Sequence, residues 1–322
     1  MNIFADLLSL TIIFAIPLLL VAIGGMYSER SGVINIALEG IMIVGALVGS
    51  ILLNKLDGTI FANQWGVLIA VIGAGLVGAI FSFLLAFASI RLKADQTIGG
   101  TALNIMAPAL AIVVSWTMQG EGQTTIKIPS DWVPLTRLPN DPTFFERVFM
   151  KNSYLTTIIA IVLFIVFTII LYKTKFGLRL RACGEHPQAA DSVGVNVAKM
   201  RYSGVLISGF LAGIGGLSFI ISTSTSFTSD VAGYGFLALA VMIFGNWKPF
   251  RILMAAILFA FFSALSGMAS TIPFLPKFDG VNQNFYIYLM LPYIITIIIL
   301  AFTSKKSKGP KAAGIPYDKG LR

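Results

Sequence analysis

From Leu7 to Tyr27 the chain runs without a charged side chain, and comparable apolar stretches recur at 33–53, 66–90, 97–118, 154–172, 202–222, 233–247, 252–270 and 285–303. Most approach the roughly 20 residues a helix needs to cross a hydrocarbon core about 30 Å thick, and they are too long and continuous for barrel strands. Lipid offers no partner to an unpaired backbone group, so runs of this length must fold as helices. The expectation is an all-α, polytopic transmembrane helical bundle of about nine spans, with eight or ten left open because 233–247 is short.

Composition narrows the function classes. The chain is 57% apolar and 11% charged, with 25 Phe, and its mean hydropathy is +0.87. A net charge of +9 would suggest nucleic acid in a soluble protein. In a membrane protein it is mainly a topology signal, and nucleic acid is set aside. One cysteine, Cys183, excludes an intrachain disulfide and a multi-cysteine metal site, and the single histidine, His186, has no second His or Cys to complete one. No nucleophile, base and orienting acid come together in the sequence, so the chain reads as a transport component, neither an enzyme nor a holder of metal or cofactor. The N-terminus lacks a basic n-region and reads as a retained first span.

Basic residues set the expected orientation. Arg30, Arg91, Lys93, Lys173, Lys175, Arg179, Arg181, Lys199, Arg201, Lys248 and Arg251 fall on one side with six more between Lys305 and Arg322, 17 of the 23 in all. That side is expected to be cytoplasmic, with the N-terminus outside and the C-terminus inside. No Lys or Arg falls within an expected span, and among the carboxylates only Glu39 lies well inside one. An ionisable group at that depth faces protein interior or a water-filled path by default.

"GVINIALEGIMIVG" after the first run is echoed by "GYGFLALAVMIFG" after the sixth, each following a Gly-Gly pair, Gly24-Gly25 and Gly215-Gly216. The orientation makes the two halves antiparallel, so the echo suggests inverted repeats, as in transporters whose Gly-interrupted helices meet near the midplane; chance likeness in a biased alphabet is the alternative. Gly32 and Gly40 permit irregular backbone and close approach, and Asn35 and Glu39 add polar groups, making 31–40 a pathway or a helix junction. Between the fifth and sixth runs, "KTKFGLRLRACGEHPQAADSVGVNVAKMRYSG" is too polar to span. Pro187 suits the first turn of a short helix and Gly194 its C-terminal stop, so the segment is either a solvated connector or a helical lever for a partner.

At these residues a resemblance appears. "GLRLRACGEHPQAADSVGVNVAKMRYSGVLISGFLAGIGGLSF" resembles the coupling-loop signature of permease subunits in the branched-chain amino acid and ribose class of ABC importers. "RSGVINIALEGIMIVGA", "FLALAVMIFGNWKPFRILMAAILFAF" and "DQTIGGTALNIMAPAL" look like three other recurring blocks, and together they cover most of 15–265. Among subfamilies the chain is most similar to permeases of nucleoside importers; sugar and branched-chain amino acid permeases, and an ion-coupled carrier, remain alternatives. The resemblance implies a separate ATPase subunit carrying ATP and magnesium, since this chain has no phosphate-loop motif. It also implies a second permease subunit, identical or related, and an extracytoplasmic binding protein delivering a small-molecule substrate. The contact with the ATPase is then expected at Arg179, Arg181, Glu185, His186, Pro187, Ala190 and Gly194, and the substrate pathway at Asn35, Glu39 and Asn104. One permease domain over 1–322 would comprise a first half at 7–118, an outer loop at 119–153, a linking span at 154–172, a coupling loop at 173–201, a second half at 202–303 and a basic tail at 304–322. The outer loop, with four prolines, docks the binding protein or caps the pathway.

Overall fold

In a computed structural model the described residues are 2–120, 122–136, 142–149, 153–269, 271–272, 288, 290–291, 293–295, 297–298 and 309–318. Among them, seven helices are long and apolar enough to cross a membrane: α1 (Asn2–Ser31), α2 (Leu38–Leu56), α3 (Gln64–Ala86), α4 (Gln96–Gln119), α6 (Leu155–Lys173), α9 (Val197–Thr223) and α11 (Pro249–Gly267). Short helices α5 (Phe144–Phe149), α7 (Lys175–Glu185), α8 (Pro187–Ser192) and α10 (Tyr234–Phe244) join them. The expected run 285–303 lies largely outside the described residues. Two residues each of β1 (Ile126–Lys127) and β2 (Ser226–Phe227) pair antiparallel, a small β addition to a helical bundle.

Local chemistry accounts for the helix ends. The Asp95 carboxylate accepts from Thr97 N at 2.7 Å and Ile98 N at 3.0 Å, starting α4. Asn63 accepts from Trp65 N at 2.8 Å and Asn196 from Lys199 N at 2.9 Å, starting α3 and α9. Each satisfies donors that the first turn leaves unpaired. α3 loosens into a π-helical turn at Phe87–Arg91 before the chain reverses.

α9 is the most enclosed of the long helices and runs among α1, α2 and α3. Small residues let the backbones touch: a Cβ on Gly45 would lie 2.4 Å from the Gly213 Cα, and one on Gly216 would lie 2.0 Å from the Met42 carbonyl oxygen. Such contacts replace the hydrophobic drive that lipid cannot supply between helices. Around them Leu18, Leu20, Ile41, Met42, Leu211 and Leu217 are completely buried. α3, α4 and α6 instead expose Leu76, Ile80, Ile105, Val113, Ile161 and Ile165, apolar faces of the kind that meet lipid or another chain.

The loop after α4 folds back on the helix ends. Gln64 Nε2 donates to the Trp132 carbonyl at 2.8 Å, Trp132 Nε1 to Asp57 Oδ1 at 2.9 Å, and Asn54 Nδ2 to the Lys127 carbonyl at 3.1 Å. Phe145 and Phe149 of α5 remain exposed.

Candidate functional site: a clamped helix break and a helical hairpin

The expected second span does not start at 33. α1 continues to Ser31, the backbone is irregular from 32 to 37, and α2 begins at Leu38. The break follows from Gly32, whose φ of +99° is open to glycine and strained for other residues. A Cβ there would also lie 2.9 Å from Arg201 Nη2. Ser28 Oγ donates to the Val33 carbonyl at 2.7 Å across the corner.

Each polar side chain expected in this region closes an open backbone group or pairs with a neighbour. Asn35 is completely buried; its Nδ2 donates to Ser208 Oγ of α9 at 2.9 Å, and its Oδ1 accepts from Ala37 N at 3.1 Å. Asn104 of α4 bridges the break, accepting from Gly40 N at 2.8 Å and donating to the Ile36 carbonyl at 2.9 Å. Gly40 allows that approach, since a Cβ there would lie 2.8 Å from the Leu103 carbonyl oxygen. Gln96, which the sequence reading passed over, accepts from Ile34 N at 2.7 Å. The Glu39 carboxylate caps α10: Oε1 accepts from Gly233 N at 2.9 Å and Oε2 from Gly235 N at 2.6 Å. The positive end of a helix dipole and a buried carboxylate thus satisfy each other. Asn35 precedes α2 and Glu39 lies in its first turn, so the two stand in different elements. Both echoed segments begin a helix after an interruption, and the two meet at this carboxylate. Gly215 abuts Val21 of α1, and Gly216 abuts the α2 backbone.

The polar connector is a helical hairpin, α7 turning into α8 at His186. Thr174 caps α7 through Gly177 N at 3.2 Å, Pro187 takes the first turn of α8, and Gly194 at φ +84° stops it. Arg179 and His186 are exposed, and Arg181 stacks over the Tyr172 ring at 4.8 Å. Glu185 lies 3.6 Å from Arg30, whose guanidinium also donates to the Trp247 carbonyl at 3.0 Å. Pro187 and Ala190, expected at the ATPase contact, are buried within the chain, Ala190 packing with Cys183 and Val197. They shape the hairpin, and its exposed polar face is what a partner can reach. The connector is also shorter than 173–201: α9 begins at Val197, so Lys199 and Arg201 belong to that helix.

Arg201 corrects a further expectation. It is 1% exposed inside α9, so a basic residue does lie within a long apolar helix. Its Nη1 donates to the Ile315 carbonyl at 2.9 Å, which places the 309–318 part of the basic tail against the bundle. Ala312 N donates to the Gly184 carbonyl at 2.8 Å, Lys93 pairs with Asp318, and Gly309 lies beside Trp247. Trp247 Nε1 in turn donates to Glu29 Oε2, buried in α1, at 2.6 Å. A strap therefore joins the hairpin, the start of α9 and the α3–α4 turn. The sequence signal was the Gly and Pro punctuation with Ile315 and Tyr317 in a tail otherwise read by its charge. Among the described residues no group of three or more His, Cys, Asp or Glu is placed to hold a metal.

Comparison with known proteins identifies relatives along nearly the whole chain. The chain is 42% identical to the guanosine ABC transporter permease protein NupQ of Bacillus subtilis, covering 97% of this chain and 96% of that one. It is 40% identical to the nucleoside ABC transporter permease protein NupC of Lactococcus lactis, over 96% and 95%. It is 31% identical to the putative glucose ABC transporter permease protein TsgC13 of Haloferax volcanii, over 97% and 96%. Residues 7–302 match the family model of the permease component of branched-chain amino acid transport systems, and the chain belongs to that family.

Proposed function

We propose that the chain is one permease subunit of an ATP-driven nucleoside importer in a bacterial cell membrane, with the hairpin end in the cytoplasm and the N-terminus outside. A second permease, identical or related, completes the membrane unit, separate subunits bind ATP and magnesium, and an extracytoplasmic binding protein delivers the nucleoside to the face carrying the 119–153 loop. The observation that carries the coupling reading is the hairpin itself. It presents Arg179, Arg181, Glu185 and His186 to the surface and passes through a short turn directly into α9, the most enclosed helix. Closure of the ATPase subunits against that hairpin would rock α9, and α9 holds the break through Ser208 and Asn35. Asn35, Glu39 and Asn104 act in this scheme as clamps of the junction beside the pathway. The two full-length likenesses to nucleoside permeases support the substrate.

The test is ATP hydrolysis by the complete assembly across nucleosides, sugars and branched-chain amino acids. Stimulation by nucleosides is expected. Stimulation by leucine alone would move the substrate to amino acids, and proton-dependent uptake by the isolated chain, with no ATPase co-purifying, would make the protein an ion-coupled carrier.

A further inference from the structure

Between α1, α9, α10 and α11 lies a cavity of ≈ 230 Å³. Its walls include Phe14, Phe219 and Tyr234, with Ser263, Ser266 and Gly267 along α11. The Phe219 and Tyr234 rings stand 4.2 Å apart at 39°, and the Phe14 ring lies 6.2 Å from Tyr234. The Tyr234 and Ser263 hydroxyls both line the cavity. Ser266 is 2% exposed and its hydroxyl has no partner among the described residues, an unusual state for a buried polar group. No described residue lining the cavity is charged.

The helix that forms one wall constrains the ligand further. α10 points its N-terminus at this level of the bundle, and such an end is a ready receptor for an anion. Here the position is taken: both Glu39 oxygens already accept from Gly233 and Gly235. An amino acid's carboxylate, or a phosphate, would meet a resident carboxylate where it needs donors. A flat, neutral heterocycle avoids that repulsion, stacks on Phe and Tyr faces, and can satisfy an unpaired hydroxyl. The volume falls below the roughly 300–1,000 Å³ of pockets that enclose drug-sized ligands, which suits a single ring system better than a whole nucleoside.

We propose that this cavity is the subsite for the base of a neutral nucleoside, stacked against Tyr234 and hydrogen-bonded by Ser266, with the ribose toward the side where Tyr293 is exposed. The inference rests on the nucleoside reading and explains how one chain of this family would refuse an amino acid.

Gly267 gives a clean probe, because a Cβ there meets no described residue within 4 Å. The complete assembly carrying Cys183→Ala and Gly267→Cys is reconstituted, and the thiol is labelled with a small maleimide in the presence of guanosine, uridine, ribose or leucine. Guanosine and uridine should slow labelling about tenfold at ten times their dissociation constants, while ribose and leucine should not. A second variant, Gly267→Phe, should reach the membrane in normal amount and lose nucleoside uptake. If nucleosides stimulate ATP hydrolysis but leave labelling unchanged, or if the thiol never reacts, or if Gly267→Phe transports normally, the subsite is wrong and the importer reading stands. Protection by ribose or leucine would overturn the assignment to a base. If nucleosides do not stimulate ATP hydrolysis at all, the functional reading fails and takes this inference with it.

Discussion

Glu39 has two acceptor oxygens and each meets a backbone donor at the start of α10. A glutamine there keeps one acceptor and turns an N–H₂ toward the other backbone N–H, so it satisfies half of the pair. Leucine satisfies neither, and an unpaired buried N–H costs about 1–3 kcal/mol. Uptake and thermal stability should therefore fall in the order parent, Glu39→Gln, Glu39→Leu, with Glu39→Gln clearly impaired; parent-like uptake and stability in both variants would remove the clamp. Asn104→Leu should resemble Glu39→Leu, since Asn104 serves Gly40 N and the Ile36 carbonyl together. The sequence located Asn35, Glu39 and Asn104 because polar groups stand out against apolar runs. It could not show their partners: Ser208, Gly233 and Gly235 lie far away in the chain, and small residues carry no signal of what approaches them. Arg201 was misread for a related reason, because a basic residue at the edge of an apolar run looks like a topology marker until its acceptor, the Ile315 carbonyl, is placed.

At the scale of elements, the hairpin was legible from local rules: Pro187 opened α8 and Gly194 closed it, as their backbone demands require. Gly194→Val should strain the φ +84° turn by about 1–2 kcal/mol, lowering the uptake achieved per ATP hydrolysed while leaving α6 and α9 inserted. The strap from 309 to 318 was not read from the sequence, where its charge marked it only as a basic tail. Its removal has a built-in reporter. Cys183 is buried between the hairpin and the start of α9, packed with Ala190 and Val197, and Tyr317 packs on the same cluster. Burial raises the Cys183 thiol above its ordinary value of 9.0, so the thiol stays neutral and slow toward maleimide at neutral pH. A group raised in this way supports folding below its unfolded pKa, and the support is lost as pH climbs through the folded value; the hairpin's packing should weaken on the alkaline side only. Truncation after Lys308 should speed labelling of Cys183 at neutral pH, whereas an unchanged rate would show that the strap does not hold the hairpin.

Across the whole molecule, hydropathy alone found the helical bundle, because lipid imposes helices on long apolar runs and leaves little else to decide. It marked 233–247 as short, but it did not find the carboxylate from α2 that caps α10, nor that α9 is central, since both depend on contacts between residues remote in sequence. Orientation remains a statement about charge: a thiol at Gly58 should be labelled from outside intact cells and one at Arg179 only after permeabilisation, and the reverse would place the hairpin on the wrong side for an ATPase. The central claim is that the hairpin carries force from ATP hydrolysis into α9. Nucleoside uptake and ATP hydrolysis measured together in the reconstituted assembly, with and without Glu185→Trp, test it most directly. The variant should insert normally and hydrolyse ATP with little uptake, or fail to retain the ATPase. Uptake per ATP equal to that of the parent would contradict the account and leave the hairpin a solvated connector.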